Sequence, residues 1–133
     1  METNVVRILP EMKLREVIEM MIKHQISGAP VIDGLGRVIS MIGEGDAIRL
    51  AATDGMDATI AHCLQHLTPQ HKLITLTRTA LFSDAYQIFL KHKIHRIPIV
   101  DGGGALKGFV TRSLILRMFV EAYHGKKIPP RSA

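Results

Sequence analysis

The chain has 133 residues, the length of a single domain, and its composition of 47% hydrophobic and 22% charged residues excludes a disordered or collagen-like protein. Its apolar runs are far shorter than the ~18 residues of a membrane span, no leader opens the sequence, and the lone Cys63 excludes an internal disulfide, so we expect a soluble cytoplasmic protein. The charge is uneven, with six basic and nine acidic side chains in residues 1–65 but eleven and three in the remainder, and the basic half suits a phosphate or an acidic partner surface.

The first half begins with an apolar run, Val5 to Leu9, that predicts a strand and is followed by apolar residues at helical spacing. That stripe consists of Leu14, Val17, Ile18 and Met21. The segment Ala29 to Asp33 then predicts a buried strand that ends in a turn at Gly34-Leu35-Gly36. A second strand, Arg37 to Ile42, completes a hairpin, and a helix is predicted to begin near Glu44. The predicted order is β-α-β-β-α.

The boundary between the halves is predicted from turn-forming residues at Thr53-Asp54-Gly55-Met56-Asp57. Ala58 to Leu67 then predicts a connecting helix, which ends before Thr68-Pro69 because the residue before a proline is driven out of the helical region. We therefore expect a first motif at residues 1–57 and a second at residues 58–133, the latter with the connecting helix and a short C-terminal tail.

The second half repeats the first at an offset of 68 residues, without a gap. Its predicted elements are a strand at Leu73 to Leu76, a helix carrying Phe82, Ala85, Tyr86 and Phe89, a hairpin of Ile97 to Asp101 and Leu106 to Thr111, and a helix from Arg112. Repeats of this length are usually units that bury their apolar faces against a neighbour. The sequence therefore predicts an α/β (α+β) fold of tandem β-α-β-β-α motifs.

The proline strand and the strand-to-helix junction both occur twice and in register. In the second half they read Ile94-His95-Arg96-Ile97-Pro98-Ile99-Val100-Asp101 and Gly108-Phe109-Val110-Thr111-Arg112-Ser113. From about Asn4 to about Tyr123 the chain closely resembles the cystathionine-β-synthase (CBS) domain pair. The resemblance implies a regulatory module rather than an enzyme, with two motifs packed through their sheets as a pseudo-twofold pair with two clefts. It also implies dimers, and clefts that bind AMP, ADP, ATP or S-adenosylmethionine.

In the family, a T-x-x-D or S-x-x-D stretch at the start of the last helix contacts the ribose of the ligand. Each half keeps one of its two groups, since Gly43-Glu44-Gly45-Asp46 has the carboxylate and Thr111-Arg112-Ser113-Leu114 has the hydroxyl. A carboxylate there accepts hydrogen bonds from ribose hydroxyls. The resemblance therefore assigns the ribose contact to Asp46, with a lower affinity because the hydroxyl is missing, and makes Thr111 and Arg112 the matching positions of the second half.

The pair His95-Arg96 resembles the family's phosphate-contacting residues, whereas the first half has Ser27-Gly28 in its place. In several members the carboxylate of one motif and the basic pair of the other face the same cleft, so Asp46, His95 and Arg96 would form one nearly complete site. The small residues Gly28 and Ala29 would let an adenine ring approach the backbone. We expect one adenine nucleotide per chain, with AMP, ADP or ATP favoured over S-adenosylmethionine, and neither a required cofactor nor a metal.

Simpler roles stay open for the same residues. Asp46 fits an acidic residue in the first turn of a helix, favoured there by the macrodipole. His95-Arg96 fits a solvated strand entrance, and Gly28 fits a plain turn. A CBS pair that dimerises without a nucleotide is the main alternative function, because each half lacks one ribose-site group.

Other functions have less support. His62 and His66 lie four residues apart on a predicted helix, but Cys63 points elsewhere and no third ligand has a recognisable spacing, so no metal site is predicted. His24 and His92 lie at equivalent helix ends, where capping is the expected role. No recognised catalytic or nucleic-acid-binding motif occurs. We therefore expect a homodimer without membrane or nucleic-acid partners that acts on an unknown effector protein, or one piece of a larger polypeptide.

Overall fold

The computed structural model describes residues 6–67 and 73–125. Between Leu73 and Ile74 the chain divides into two compact units, each a succession of short strands and helices. In chain order the elements are α1 (Leu14–His24), β1 (Gly28–Ile32), β2 (Val38–Gly43), α2 (Glu44–Thr53), α3 (Ile60–Leu64), β3 (Leu76–Thr77), α4 (Phe82–Lys91), β4 (Arg96–Val100), β5 (Leu106–Thr111) and α5 (Arg112–Tyr123). The predicted mixed α+β class is confirmed. Within the two described stretches, no helix is long and apolar enough to cross a membrane.

Each unit is built on an antiparallel hairpin whose first strand contains the repeated proline. In the first unit β1 pairs with β2 starting at Gly28↔Gly43, and in the second β4 pairs with β5 starting at Arg96↔Thr111. Each turn contains a glycine with positive φ, 79° at Gly36 and 89° at Gly104, which a residue without a Cβ adopts at little cost. Both predicted hairpins, and the helix starts at Glu44 and Arg112, are confirmed.

An aspartate closes each hairpin turn in the same way. Oδ1 of Asp33 and Oδ1 of Asp101 each accept two backbone hydrogen bonds of 2.9–3.0 Å. The donors are Leu35 and Arg37 in the first unit and Gly103 and Ala105 in the second. These bonds stabilise the charged form, led by the one from Arg37 at Asp33 and from Ala105 at Asp101, and they lower the pKa of both carboxyls.

The opening strands are shorter than predicted, and prolines explain why. The predicted strand Val5 to Leu9, whose first residue lies outside the described residues, forms a single parallel bridge at Ile8. The Ile8 N–H donates to Pro30 and the Ile8 carbonyl accepts from Ile32, but Pro30 and Pro10 lack the N–H groups that would continue the ladder on either side. In the second unit Arg78 stands where the first has Pro10, and β3 reaches two residues, Leu76–Thr77.

The first helix of each unit turns its predicted apolar stripe inward. Helix α1 buries Leu14, Val17 and Met21 against β1, β2 and α2 residues of the first unit. In the second unit α4 buries Phe82 and Ala85, which cluster with Ile115 of α5. His24 is the last residue of α1 and His92 the first after α4, as their predicted role at helix ends requires. The two helical stripes are therefore core faces.

The segment after α2 packs with the first unit, which differs from the predicted boundary after Asp57. Its backbone pairs with the residues before α1 through a bridge between Lys13 and Thr59, and the Ile60 N–H donates to Met12 at 2.8 Å. Ile60 and Cys63 are buried in the first unit's core. The predicted connecting helix shrinks to α3, and Thr68-Pro69 lies outside the described residues. Turn-forming residues predict where the chain reverses. They do not predict which unit the following segment packs against, because that depends on long-range pairing.

Candidate functional site

The start of α2 is capped by the carboxylate of Asp46. Its Oδ2 accepts a hydrogen bond from the Gly43 backbone N–H at 2.9 Å, and its Oδ1 accepts one from the Arg49 guanidinium at 2.7 Å. The first amides of a helix lack intrahelical acceptors, so an acid at the third helical position stabilises the helix by accepting from the residue before it. Asp46 therefore lies in the first turn of α2 and caps the helix, as the simpler interpretation of its position requires.

The start of α5 is capped by a hydroxyl group instead of a carboxylate. The Thr111 hydroxyl accepts a hydrogen bond from the Leu114 backbone N–H at 3.2 Å, the usual arrangement of an N-cap threonine. Leu114 stands at the position of Asp46 in the repeat, and its side chain is partly buried.

Each unit thus keeps one half of a capping box, a motif in which an N-cap hydroxyl and an acid three residues later cap the helix reciprocally. The hydroxyl and the carboxylate of the family's T-x-x-D stretch are these same two groups. An ionised carboxylate accepts up to about four hydrogen bonds. Helix capping and a ribose contact at Asp46 are therefore compatible.

Three basic side chains gather where β4 and α5 begin. Nη2 of Arg112, the first residue of α5, donates to Nδ1 of His95 at 2.6 Å, which leaves the imidazole proton on Nε2. Arg96 pairs in register with Thr111, and its guanidinium lies 5.4 Å from the ring centroid of the buried Phe109, a cation–π contact. These donors, together with the positive end of α5, suit an anion.

Gly28 and Ala29 have local roles in the first unit. A Cβ at Gly28 would lie 3.1 Å from the carbonyl oxygen of Ile42, so glycine there lets β1 and β2 approach each other closely. Ala29 is 1% exposed and packs in the first unit's core. The close approach of the two strands explains why residue 28 is a glycine without invoking a ligand. The Ala29 side chain is buried and does not reach the surface.

The predicted site residues fall into two groups, one in each unit. Gly28 and Asp46 lie at the end of the first hairpin, where α2 begins. Gly28 pairs with Gly43 in the hairpin, and the Gly43 N–H donates to Asp46. The corresponding end of the second hairpin holds His95, Arg96, Thr111 and Arg112. Within each unit the structure brings the predicted residues together.

An apolar groove beside α1 and α2 is a feature that sequence reasoning missed. Its cavity of about 890 Å³ lies wholly within the first unit, among residues such as Ile18, Ile22, Ile48 and Met56, with Ser27 and Glu44 also on its wall. The second unit holds a cavity of about 330 Å³ in a different place, lined by residues of β3, the start of α4 and α5, with Leu114 on its wall. The signal was available in the exposed apolar residues Ile22 and Ile48, which the predicted stripes left over.

A second polar cluster lies at the C-terminal end of α2. Oδ2 of Asp54 is 2.7 Å from Nδ1 of His66 and 3.8 Å from Nε2 of His62. Burial acts to raise the pKa of Asp54, but hydrogen bonds from Thr53 and His66 outweigh it, and the pKa lies below its ordinary value. Burial, and then the charge of Asp54, raise the pKa of the Cys63 thiol. Cys63 is fully buried in the core of the first unit, whereas the two histidines are about half exposed.

Residues 1–53 and 64–121 match the family model of the CBS domain. Inosine-5'-monophosphate dehydrogenase of Aquifex aeolicus is 30% identical over 108 residues, which are 81% of this chain and 21% of the dehydrogenase. The chain thus spans about a fifth of the length of the curated relatives it matches.

Solved structures share the fold, among them the two described next. CBSX2 of Arabidopsis thaliana, in a complex with AMP, matches with a TM-score of 0.77 and 21% identity over 92% of this chain and 94% of that one. The CBS domain pair of MJ0100, in a complex with 5'-methylthioadenosine and S-adenosyl-L-methionine, matches with a TM-score of 0.72 and 21% identity over 91% of this chain and 92% of that one. With the family model covering most of the sequence, this chain belongs to the CBS domain family.

Proposed function

We propose that the chain is a regulatory module that binds one adenine nucleotide and thereby modulates a partner protein. Asp46 holds the ribose, His95 and Arg96 hold the phosphates with Arg112 and Thr111 beside them, and the backbone at Gly28 and Ala29 receives the adenine. These assignments follow the family resemblance. We propose no catalytic reaction for these residues.

The observation that carries this proposal is the basic group where β4 and α5 begin. His95 and Arg112 are exposed and hydrogen-bonded to each other, and Arg96 is held over Phe109. A guanidinium fixed by a ring keeps its N–H groups oriented, and oriented donors bind phosphate oxygens better than mobile ones. The equivalent positions of the first unit are Ser27, Gly28 and Glu44, which offer no positive charge.

The ligand class is supported by two structures of the same fold. One holds AMP and the other holds 5'-methylthioadenosine and S-adenosyl-L-methionine, and all three ligands contain adenosine. A cationic sulfonium next to Arg96 and Arg112 would meet like charge. AMP, ADP or ATP is therefore the preferred ligand of this chain.

Regulation by such a module requires that the nucleotide bind one conformation better than another. We propose that the chain acts as a homodimer in the cytoplasm, and that the nucleotide favours one arrangement that an effector protein recognises. The nucleotide shifts that equilibrium only by the difference in its affinity for the two states.

A ligand-free dimerisation scaffold is the second candidate, and one specific observation favours it. Asp46 and Thr111, the two groups left of the family's ribose-binding stretches, each have a helix-capping role. Their presence is therefore explained without a nucleotide.

The deciding experiment compares two aspartates that cap helices in the same way. Asp84 accepts the Leu81 N–H at 3.0 Å at the start of α4, as Asp46 accepts the Gly43 N–H at the start of α2. Asp46→Ala and Asp84→Ala should therefore destabilise the protein similarly. Only Asp46→Ala should weaken AMP or ATP binding in titration calorimetry, by about 10- to 100-fold, because charged hydrogen bonds to ribose hydroxyls are lost.

The phosphate side has its own matched pair. His95→Ala should weaken ATP binding several-fold, whereas His92→Ala, which removes another exposed histidine just before β4, should leave it unchanged. Unmodified protein that binds none of AMP, ADP and ATP would contradict the nucleotide proposal and leave the ligand-free scaffold as the function.

A further inference from the structure

Three side chains with metal-binding atoms converge in the first unit, at the opposite end of α2 from Asp46. Asp54 follows the last residue of α2, His62 lies on α3, and His66 lies two residues beyond the end of α3. One ligand atom from each lies within 4.8 Å of those of the other two. The imidazole rings of His62 and His66 meet edge to face with their centroids 4.8 Å apart.

The backbone around the cluster is held in place by hydrogen bonds. The Asp54 N–H donates to Leu50 at 2.7 Å, which fixes the end of α2. The Ala61 N–H donates to Pro10 at 2.8 Å, which ties α3 to the start of the chain. The His66 N–H donates to Cys63 at 2.9 Å, so the helical turn continues past Leu64 and keeps His62 and His66 on one face.

Burial within the cluster is strongly graded. The Asp54 side chain is 2% exposed, whereas those of His62 and His66 are 53% and 48% exposed. A buried carboxylate is costly unless a cation or hydrogen-bond donors compensate it. The half-exposed histidines leave a path from solvent to the carboxylate for an ion.

We propose that Asp54, His62 and His66 form a binding site for a divalent transition-metal ion, with Zn²⁺ as the ion that fits best. Two imidazoles and one carboxylate are a ligand set that zinc accepts, with the fourth tetrahedral position filled by water. Nitrogen ligands disfavour Mg²⁺ and Ca²⁺, which prefer oxygen.

Zinc needs a modest adjustment of the side chains. Ligand bonds of about 2.0–2.2 Å in a tetrahedron place the ligand atoms roughly 3.3 Å apart. His62 must therefore move toward Asp54, and the Nδ1 proton that His66 donates to the carboxylate must pass to Nε2 or to solvent so that Nδ1 can bind the metal. Both imidazoles are half exposed and can rotate, whereas the buried Asp54 provides the fixed ligand.

The site would link the end of α2 to α3 in the first unit. The second unit has no equivalent, because Ala122 stands where the first has Asp54. Sequence spacing shows the two histidines but not the carboxylate, which lies eight residues before His62 and reaches it only through the turn after α2. Zinc binding would therefore be a property of this chain that the repeat does not imply.

Titration calorimetry of the full chain, first stripped of metal with a chelator and then given ZnCl₂, tests the proposal. The expected result is one zinc per chain, with affinity at least about 10-fold weaker in His62→Ala, His66→Ala and Asp54→Asn, since each removes a ligand. His24→Ala and His92→Ala remove exposed histidines outside the cluster and should leave zinc affinity unchanged. None of these variants changes a residue of the proposed nucleotide site, so AMP and ATP binding is measured separately.

His62→Ala is the decisive variant, because His62 is half exposed and its Nε2 lies 3.8 Å from Asp54 Oδ2, so the variant should fold. Zinc should raise the melting temperature of the unmodified protein and not that of His62→Ala. Co²⁺ in place of zinc should give the visible absorption of a four-coordinate site without a thiolate band, and Cys63→Ser should leave the spectrum unchanged.

Three results would overturn the proposal. They are the absence of zinc binding up to about 1 mM ZnCl₂, where only very weak sites remain empty, a stoichiometric zinc that persists in the His62→Ala/His66→Ala double variant, and a thiolate band in the Co²⁺ spectrum. Any of them would leave Asp54, His62 and His66 as a polar cluster that ties α3 to α2.

Discussion

The starts of α2 and α5 occupy equivalent positions in the repeat, yet they carry opposite charges. Glu44 and Asp46 make the first acidic, whereas Arg112, with His95 beside it, makes the second basic. The backbones still agree, because each helix follows directly on a hairpin strand and begins from an extended residue. The comparison teaches that the repeat preserves the backbone conformation, while the side chains at equivalent positions are free to diverge.

The preserved positions are those that fix the backbone. Pro30 and Pro98 limit the parallel ladder, Gly36 and Gly104 supply the positive φ of the turns, and the turn aspartates accept two backbone bonds each. At the helix starts, the same need for a cap is met by a carboxylate in one unit and a hydroxyl in the other. The helix start therefore requires a group that accepts a backbone hydrogen bond, but it does not require a particular residue type.

The largest expected difference between the units concerns Phe109 and its equivalent Met41. Phe109 is fully buried and lies under Arg96, whereas Met41 is only partly buried. Phe109→Ala should lower the free energy of unfolding by about 3–5 kcal/mol, and Met41→Ala by less than about 2 kcal/mol. Chemical denaturation with both variants measures the difference.

Phe109→Ala should also weaken ATP binding, because Arg96 loses the ring that holds its guanidinium. Equal destabilisation by the two variants would show that the second unit depends on Phe109 no more than the first unit depends on Met41.

Much of the fold follows from the sequence alone. The apolar stripes of α1 and α4, the two hairpins and the helix starts at Glu44 and Arg112 depend on spacing and turn residues, which are local properties. The opening strands were overestimated because apolar content predicts a strand, whereas the prolines of both paired segments decide how far the ladder extends. That information is in the sequence, but it is usable only once the pairing partner is known.

The candidate sites show the same limit. Asp46, His95 and Arg96 could be singled out because the family resemblance carries its ribose- and phosphate-contacting positions onto them. The contact of Arg112 with His95 and the approach of Asp54 to His66 join residues whose separation of 17 and 12 positions matches no motif. Such contacts depend on how a hairpin or a turn folds back, so periodicity could not reveal them.

Completing the capping box at α2 should make the two helix starts more alike. A Cβ at Gly43 would meet only ordinary contacts of 3.6–3.7 Å, and the backbone there, with φ −101° and ψ 178°, suits threonine. Gly43→Thr should raise the free energy of unfolding by about 0.5–1 kcal/mol, through the added cap and the less flexible unfolded chain. Thermal or chemical denaturation measures this gain.

The same substitution restores the hydroxyl of the family's T-x-x-D stretch, so Gly43→Thr should tighten ATP binding by about 2- to 10-fold, the worth of one hydrogen bond. Gly43→Val is the matched control, since it has nearly the same shape without the hydroxyl. A similar gain in Gly43→Val would show that backbone stiffening, not the hydroxyl, sets the affinity.

The smallest expected difference lies in the hairpin turns, where the two units are most alike. Because the folded pKa of Asp33 and of Asp101 lies below the unfolded one, both add stability above about pH 4 that is lost as acidification carries the pH through the folded pKa. Asp33 is also bound by the Arg37 side chain at 2.7 Å, against 3.7 Å from Lys107 to Asp101. Asp33→Asn should therefore remove more of the acid sensitivity of the melting temperature, measured between about pH 6 and pH 3, than Asp101→Asn does. Some sensitivity should persist in the double variant because the pKa of Asp54 is also lowered, but a double variant as acid-sensitive as the unmodified protein would mean that neither turn contributes.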